Sequence, residues 1–336
     1  MKIAHIILTH SFAGSERYAI ELANLQAEQH DVTLILHQRG AETRSNAIAQ
    51  HVSPKVNIML VGGISLLTLY RCRNLLKQLK PDVAHAHLSA ACRVLQGLKG
   101  LCMRIATLHI HYKKQQHANL DALIAIAPWQ LSAIPKHLKS HTIQLDNWSG
   151  PRVTSEHACQ RLRREYQIPE DALVIGTLGR VEKSKGHDTL IKAFLLAAIP
   201  NSYLVIVGDG KNWQAIRKEA PAHVIMPGFS NTPQDWLASF DLFVSAARTE
   251  PFGLVFLEAM HAGLPIVATA TEGAKYLQPL FNKELVDIDS VTHLSKQLQQ
   301  SQDIQKRQYP MERFAPEKKV AEVIKFYQQQ LTEYKN

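Results

Sequence analysis

Residues 173–210 read LVIGTLGRVEKSKGHDTLIKAFLLAAIPNSYLVIVGDG. Residues 173–178 are a short apolar run that stops at Gly179. Residues 186–198 then carry an amphipathic helical pattern, and residues 203–207 form a second apolar run that stops at Gly208. Near-continuous apolar strands are what a sheet covered by helices on both faces requires. Strand, helix and strand in alternation predict a parallel α/β sheet. Outward from this stretch the pattern repeats. Downstream, strands are expected at 223–226, 241–245 and 265–269, with helices at 212–219, 252–262 and 291–301. Upstream, strands are expected at 3–8, 32–37, 56–60, 83–88, 104–110, 121–127 and 142–145, with helices at 16–28, 66–80, 90–100 and 128–138. The alternation lapses over the polar residues 146–171, which read as a linker plus one helix. Two doubly wound domains are therefore expected, at 1–150 and 151–315, followed by a last amphipathic helical segment at 316–336.

Composition is that of an ordinary soluble globular chain: 336 residues, 46% hydrophobic and 20% charged. No apolar run approaches the roughly 20 residues needed to cross a bilayer. The opening residues 1–10 are too short in their apolar part for a signal peptide and read as a buried strand, so a cytoplasmic location is expected. Cys72, Cys92, Cys102 and Cys159 have no CxxC spacing and read as buried, reduced thiols. The net charge of +9 favours phosphate-bearing partners. No nucleic-acid-binding signature accompanies it, so no nucleic-acid partner is expected. An anionic acceptor or the inner face of the cytoplasmic membrane fits the charge better.

Chemistry is expected just after the strands, because ligands of open parallel sheets bind at the carboxyl ends of strands. In the segment 245–263, Glu250 follows a strand and Pro251 sits where a helix would begin. The amides of Phe252, Gly253 and Leu254 would then be unpaired donors at a helix start, suited to a diphosphate. Glu258, on the second turn, could accept hydrogen bonds from ribose hydroxyls. A solvated helix with two unremarkable carboxylates is the bland alternative. Arg180 and Lys185 follow the strand at 173–178 and could grip a leaving diphosphate, or could be surface cations. Gly208 and Asp209 make a tight turn, and Phe229 could lie beside a base. Gly14 and Ser15 open a helix after the first strand, an anion-friendly start that makes them donor-binding candidates; they do not form GxGxxG, so a nicotinamide site is unsupported. His85 and His87 share a strand face, and His109 and His111 follow the next strand. Each could be a core histidine, and His-x-His without a third ligand at fixed spacing does not make a metal site. Asp287 and Asp289 are spaced like a metal-holding DxD, a common chance pattern. No metal and no cofactor are expected.

Taken together, Glu250-Pro251-Phe252-Gly253 with Glu258, then Ala259-Met260 and Gly263-Leu264-Pro265-Ile266-Val267-Ala268, resemble the hallmark segment of the retaining glycosyltransferases of family four. Gly179-Arg180 with Lys185-Gly186, Val207-Gly208-Asp209-Gly210 and Gly228-Phe229 are similar to that family in order and spacing. So are Gly14-Ser15-Glu16, Asp82-Val83 leading to His85-Ala86-His87, and Thr107-Leu108-His109. The resemblance implies a GT-B fold: two facing Rossmann-like domains with a cleft between them, the acceptor domain first and the nucleotide-sugar domain second, and a last helix crossing back to the first. It implies that Arg180 and Lys185 bind the donor diphosphate, Glu250 the donor sugar and Glu258 the ribose. It places His87 at the reacting carbon, with His109 and His111 as acceptor-side candidates. Two departures are evident: Ala13 stands where the family has a glycine, and Asp146-Asn147-Trp148-Ser149 replaces its usual Asn-Gly-Val-Asp.

The expected activity is retaining transfer of a hexosyl or N-acetylhexosaminyl group from a UDP-sugar to an anionic surface glycan, lipopolysaccharide or glycolipid. A nucleotide-sugar epimerase of similar fold, or a non-catalytic nucleotide-sugar-binding protein, are the competing readings.

Overall fold

The computed structural model describes residues 1–43, 46–301 and 305–335. The chain divides into two compact units, Met1–Trp148 with Ala315–Asn336, and Ser149–Phe314. Asn336, which closes the expected last segment, lies outside the described residues.

The first unit holds seven strands: β1 Lys2–Ile7, β2 Asp31–His37, β3 Asn57–Val61, β4 Val83–His87, β5 Met103–Leu108, β6 Ala122–Ala125 and β7 Thr142–Gln144. They pair in parallel in the order β3-β2-β1-β4-β5-β6-β7. One face packs on the helices Gly14–Gln26 and Pro316–Lys335 through Ile3, Ile7, Tyr18, Val83, Val323 and Tyr327. The other face packs on Ser65–Leu79 and Leu88–Gln96 through Ile6, Cys72, Leu76, Ala86 and Leu95. The chain's last helix thus completes the core of the first unit, because its apolar stripe at Val320, Val323 and Tyr327 supplies one wall.

The second unit holds β8 Leu173–Leu178, β9 Ser202–Val207, β10 Val224–Gly228, β11 Leu242–Ser245 and β12 Ile266–Ala268. These also pair in parallel, in the order β10-β9-β8-β11-β12. The helices His187–Ala197 and Val291–Gln299 cover one face through Leu190, Phe194, Leu294 and Leu298. Two parallel doubly wound sheets are the architecture that the alternating sequence predicts.

Several local expectations are corrected. The helix expected at 128–138 is a 3₁₀ segment Pro128–Ala133 and a separate turn Lys136–Lys139. Pro135 accounts for the break, since the residue before a proline avoids helical backbone and Ile134 is extended. The helices Pro233–Ser239 and Glu272–Phe281 went unanticipated; the second contains Gly273 and Pro279, which mask its periodicity. Cys159 is only half-buried, while Cys72, Cys92 and Cys102 are buried as expected. Burial raises these three thiols to about 12, 12 and 11, which makes them inert.

Candidate functional site

In each sheet the strand order reverses at one place, and that is where an open α/β sheet forms a ligand crevice. In the second unit the reversal lies between β8 and β11. The loop leaving β8 carries Arg180 and Lys185, and the loop leaving β11 carries Glu250. Lys185 Nζ lies 2.5 Å from Glu250 Oε2, joining residues 65 positions apart. Both side chains are largely sheltered, at 21% and 12% exposure. Arg180 is brought to the same strand end but its guanidinium, 60% exposed, meets Glu182 at 3.2 Å.

Arg248, which the sequence reading passed over, fastens the two loops together. Its backbone N–H donates to Ser184 O at 2.8 Å. Its guanidinium donates to both oxygens of Asp188 at 2.9 and 2.8 Å and approaches Asp289 Oδ1 at 2.7 Å. Hydrogen bonds from Arg248 hold the Asp188 carboxyl below the usual carboxylate range. Asp289 is therefore an ion-pair partner of Arg248, whereas Asp287 pairs with His293 at 3.1 Å. The Asp287/Asp289 spacing reports two separate structural contacts.

The helix expected from about Pro251 begins at Leu254 and runs to His261. Gly253 precedes it with φ +90°, a conformation open to glycine and costly for other residues. Of the three expected amides, then, only that of Leu254 belongs to the helical first turn, while Pro251 and Phe252 lie in the bend before it. Phe252 is buried against Tyr276 and Phe314 and anchors that bend. The N–H of Gly273 donates to Glu250 O at 2.8 Å. A side chain at 273 would meet Phe252 O at 2.4 Å, so this close approach of two helix starts also needs glycine. Glu258 is half-buried on the second turn, about 6 Å along the axis from Leu254. Asp209 is exposed; its carbonyl accepts from Val181 N at 2.9 Å and its carboxylate from Gly210 N at 2.7 Å. Gly208 N donates to Gly228 O at 2.8 Å, which draws the β9 and β10 ends together beneath the 37% exposed Phe229.

In the first unit the reversal lies between β1 and β4. Gly14 and Ser15 begin the helix after β1, and His87 ends β4. Glu16, buried, accepts from Thr9 Oγ1 at 2.6 Å and Ser15 Oγ at 3.0 Å and so fixes the loop after β1. Ala13, in the glycine's place, is extended with φ −149°, a conformation any residue adopts.

His87 belongs to a buried row of histidines. His5 Nε2 faces Gln26 Oε1 at 2.7 Å, His5 Nδ1 faces His87 Nε2 at 3.0 Å, and His87 Nδ1 faces His109 Nε2 at 3.2 Å. Desolvation holds all of them neutral: His5 falls to about 4, His109 to about 3, and His87 well below its ordinary value. A neutral imidazole has one donor and one acceptor, so each bond fixes the next. With Gln26 Oε1 accepting, every Nε2 in the row carries its proton, and Nδ1 of His109 is left as the terminal acceptor. His85 bonds to Tyr327 Oη at 2.5 Å and Thr107 Oγ1 at 2.8 Å. Nitrogens of His5, His85 and His87 lie within 4.8 Å of one another, near enough for a shared ion. All six ring nitrogens of that trio are nonetheless hydrogen-bonded to protein groups. His111 stands apart, exposed and edge-on to Trp129. The sequence reading missed His5, although it lies directly across from His85 in the sheet register.

Comparison with known proteins identifies the family and the fold. A model described as Glycosyltransferase Family 4 matches residues 12–177, and one described as Glycosyl transferases group 1 matches residues 159–318. The chain is 26% identical over 311 residues to the lipopolysaccharide core biosynthesis glycosyltransferase LpsE of Rhizobium meliloti, spanning 89% of this chain and 88% of that one. Anabaena Alr3699/HepE, solved with UDP and glucose, superposes with a TM-score of 0.76 at 19% identity, covering 100% and 99% of the two chains. WaaG, a glycosyltransferase of lipopolysaccharide biosynthesis, gives 0.71 at 16% identity, covering 98% of each.

Proposed function

The chain belongs to the glycosyltransferases of family four, group 1, with the GT-B fold, and we propose that it moves a hexosyl or N-acetylhexosaminyl group from a UDP-sugar to a lipopolysaccharide or related glycolipid acceptor, with retention. The observation that carries the reading is the Lys185–Glu250 contact at the β8/β11 reversal. A cation and a carboxylate sheltered side by side suit a donor with an anionic half and a hydroxylated half. The complex of HepE with UDP and glucose supports the uridine donor, and the likeness to LpsE supports the acceptor class.

In this mechanism the diphosphate enters beside Lys185 and displaces its carboxylate partner. Glu250 is then free to accept from hydroxyls of the transferred sugar. Arg180, exposed beside Glu182, turns onto the diphosphate, and the amide of Leu254 adds its dipole. Glu258 takes the ribose. Charge developing on the leaving group is met by fixed donors and cations, with no metal required. The resemblance gives His87 a place near the reacting carbon; in the structure it is buried with both ring nitrogens held by His5 and His109, so its part is to fix the neutral row at the end of β4. The acceptor hydroxyl attacks on the face the diphosphate leaves, and a diphosphate oxygen takes its proton. A cytoplasmic site at the inner membrane face would give the enzyme both substrates.

Purified protein incubated with UDP-, GDP- and ADP-sugars and a lipopolysaccharide-core acceptor tests this. Transfer from a UDP-sugar with unchanged anomeric configuration, read by NMR, is the expected result. Epimerised free donor, or donor binding without transfer across a broad acceptor panel, would replace the reading with one of its competitors.

A further inference from the structure

Strand β3 is the edge of the first sheet, and its pattern is unlike its neighbours'. Four of its five residues are exposed, including Ile58, Met59 and Leu60 at 40%, 36% and 51%. The chain then passes Ile64, 80% exposed, into the helix Ser65–Leu79. That helix buries Thr68, Cys72 and Leu76 and turns Leu66, Leu67 and Tyr70 outward at 79%, 40% and 62%. Single exposed apolar residues are ordinary on a protein surface. Seven within residues 58–70 form a patch, which marks an interaction surface.

The charge around the patch selects its occupant. Residues 58–80 contain Arg71, Arg73, Lys77 and Lys80 and no Asp or Glu. Arg71 and Lys77 on the same helix, and Lys80 just past its end, are exposed and follow Leu66 and Tyr70. Arg71 donates to Gly62 O at 2.7 Å and Arg73 to Val94 O at 3.0 Å, both neutral acceptors. Arg71 and Leu60 line one open pocket of about 400 Å³, so apolar and cationic groups meet there. Exposed apolar side chains ringed by cations match the boundary of an anionic bilayer, where the former enter the acyl region and the latter lie among phosphates. A second copy of the chain fits less well, since edge-to-edge pairing would set one acid-free, cationic segment against another.

We propose that residues 58–80 form the surface by which the protein docks on an anionic phospholipid membrane. This deepens the glycolipid-acceptor reading above by naming the surface that would meet the acceptor's membrane.

Flotation of the full chain with phosphatidylcholine vesicles, with and without phosphatidylglycerol, tests it. Binding is expected to the anionic vesicles, to weaken with salt, and to be slight on phosphatidylcholine alone. The pair Lys77→Gln and Lys80→Gln should lower partitioning about fivefold per charge. The pair Leu66→Ser and Tyr70→Ser should lower it by at least as much, and both variants should keep the melting shift produced by a UDP-sugar. No flotation, or flotation unchanged by both variants, would overturn the proposal. So would a dimer, seen by light scattering, that the Leu66/Tyr70 variant disperses without any vesicle binding. Failure of the donor reading is separable: the UDP-sugar shift would be missing while flotation persisted.

Discussion

At the scale of single residues, the donor half of the proposed site rests on contacts between positions far apart in sequence. Arg248 is the clearest case. It spans both loops through Ser184, Asp188 and Asp289, and so it positions Lys185 and Glu250 without needing to touch substrate. Arg248→Lys cannot reproduce the two-pronged bond to Asp188. It is expected to lower kcat/KM at least tenfold, whereas an unchanged value would remove Arg248 from the account. The histidine row makes a prediction about pH. His5 and His109 are lowered to about 4 and about 3, and His85 and His87 fall well below 6.5. Above about pH 6.5 both folded and unfolded chains hold these rings neutral, and the stability is present in full. As pH falls below that, the unfolded chain takes up protons the native row refuses, and each ring costs about 1.4 kcal/mol per pH unit until its folded value is reached. Thermal midpoints should therefore drop from about pH 6.5 downward, and less steeply in His5→Gln. A flat profile to about pH 5 would contradict the buried neutral row.

At the scale of elements, the C-terminal helix carries the next expectation. Tyr327 on that helix bonds to buried His85. Tyr327→Phe keeps the ring and strands His85 Nδ1, so unfolding should become about 1–3 kcal/mol easier, measured by denaturant titration. No loss would mean that the contact is incidental. The same elements show what the sequence made legible. All twelve strands among the described residues could be read, because each is a short apolar run between breakers. Lys185 and Glu250 could be singled out as residues following strands, and His87 as one at a strand's end. Their neighbours could not. His5 meets His85 through cross-strand register, Arg248 reaches Asp188 through a folded loop, and Gly273 is needed only because Phe252 approaches it. None of these leaves a periodic trace. The start of the helix Leu254–His261 was read too early because Pro251 suits a first helical position, while Gly253 in a left-handed conformation postpones it.

For the whole molecule, both sheets place their distinctive residues at the point where strand order reverses: Gly14, Ser15 and His87 in one, Lys185 and Glu250 in the other. That shared placement is what two substrate-binding sheets of a transferase require, one for donor and one for acceptor. The central claim is that Lys185 and Glu250 hold the two halves of the donor. Its most direct test is transfer from a UDP-sugar by Lys185→Ala and Glu250→Gln, beside the melting shift each variant shows with UDP alone. Removing a fixed charge at a developing leaving group costs about 10²–10³ in rate. The expected result is a loss of that size in both variants, with the UDP shift diminished only in Lys185→Ala. Transfer left intact in both variants would contradict the account.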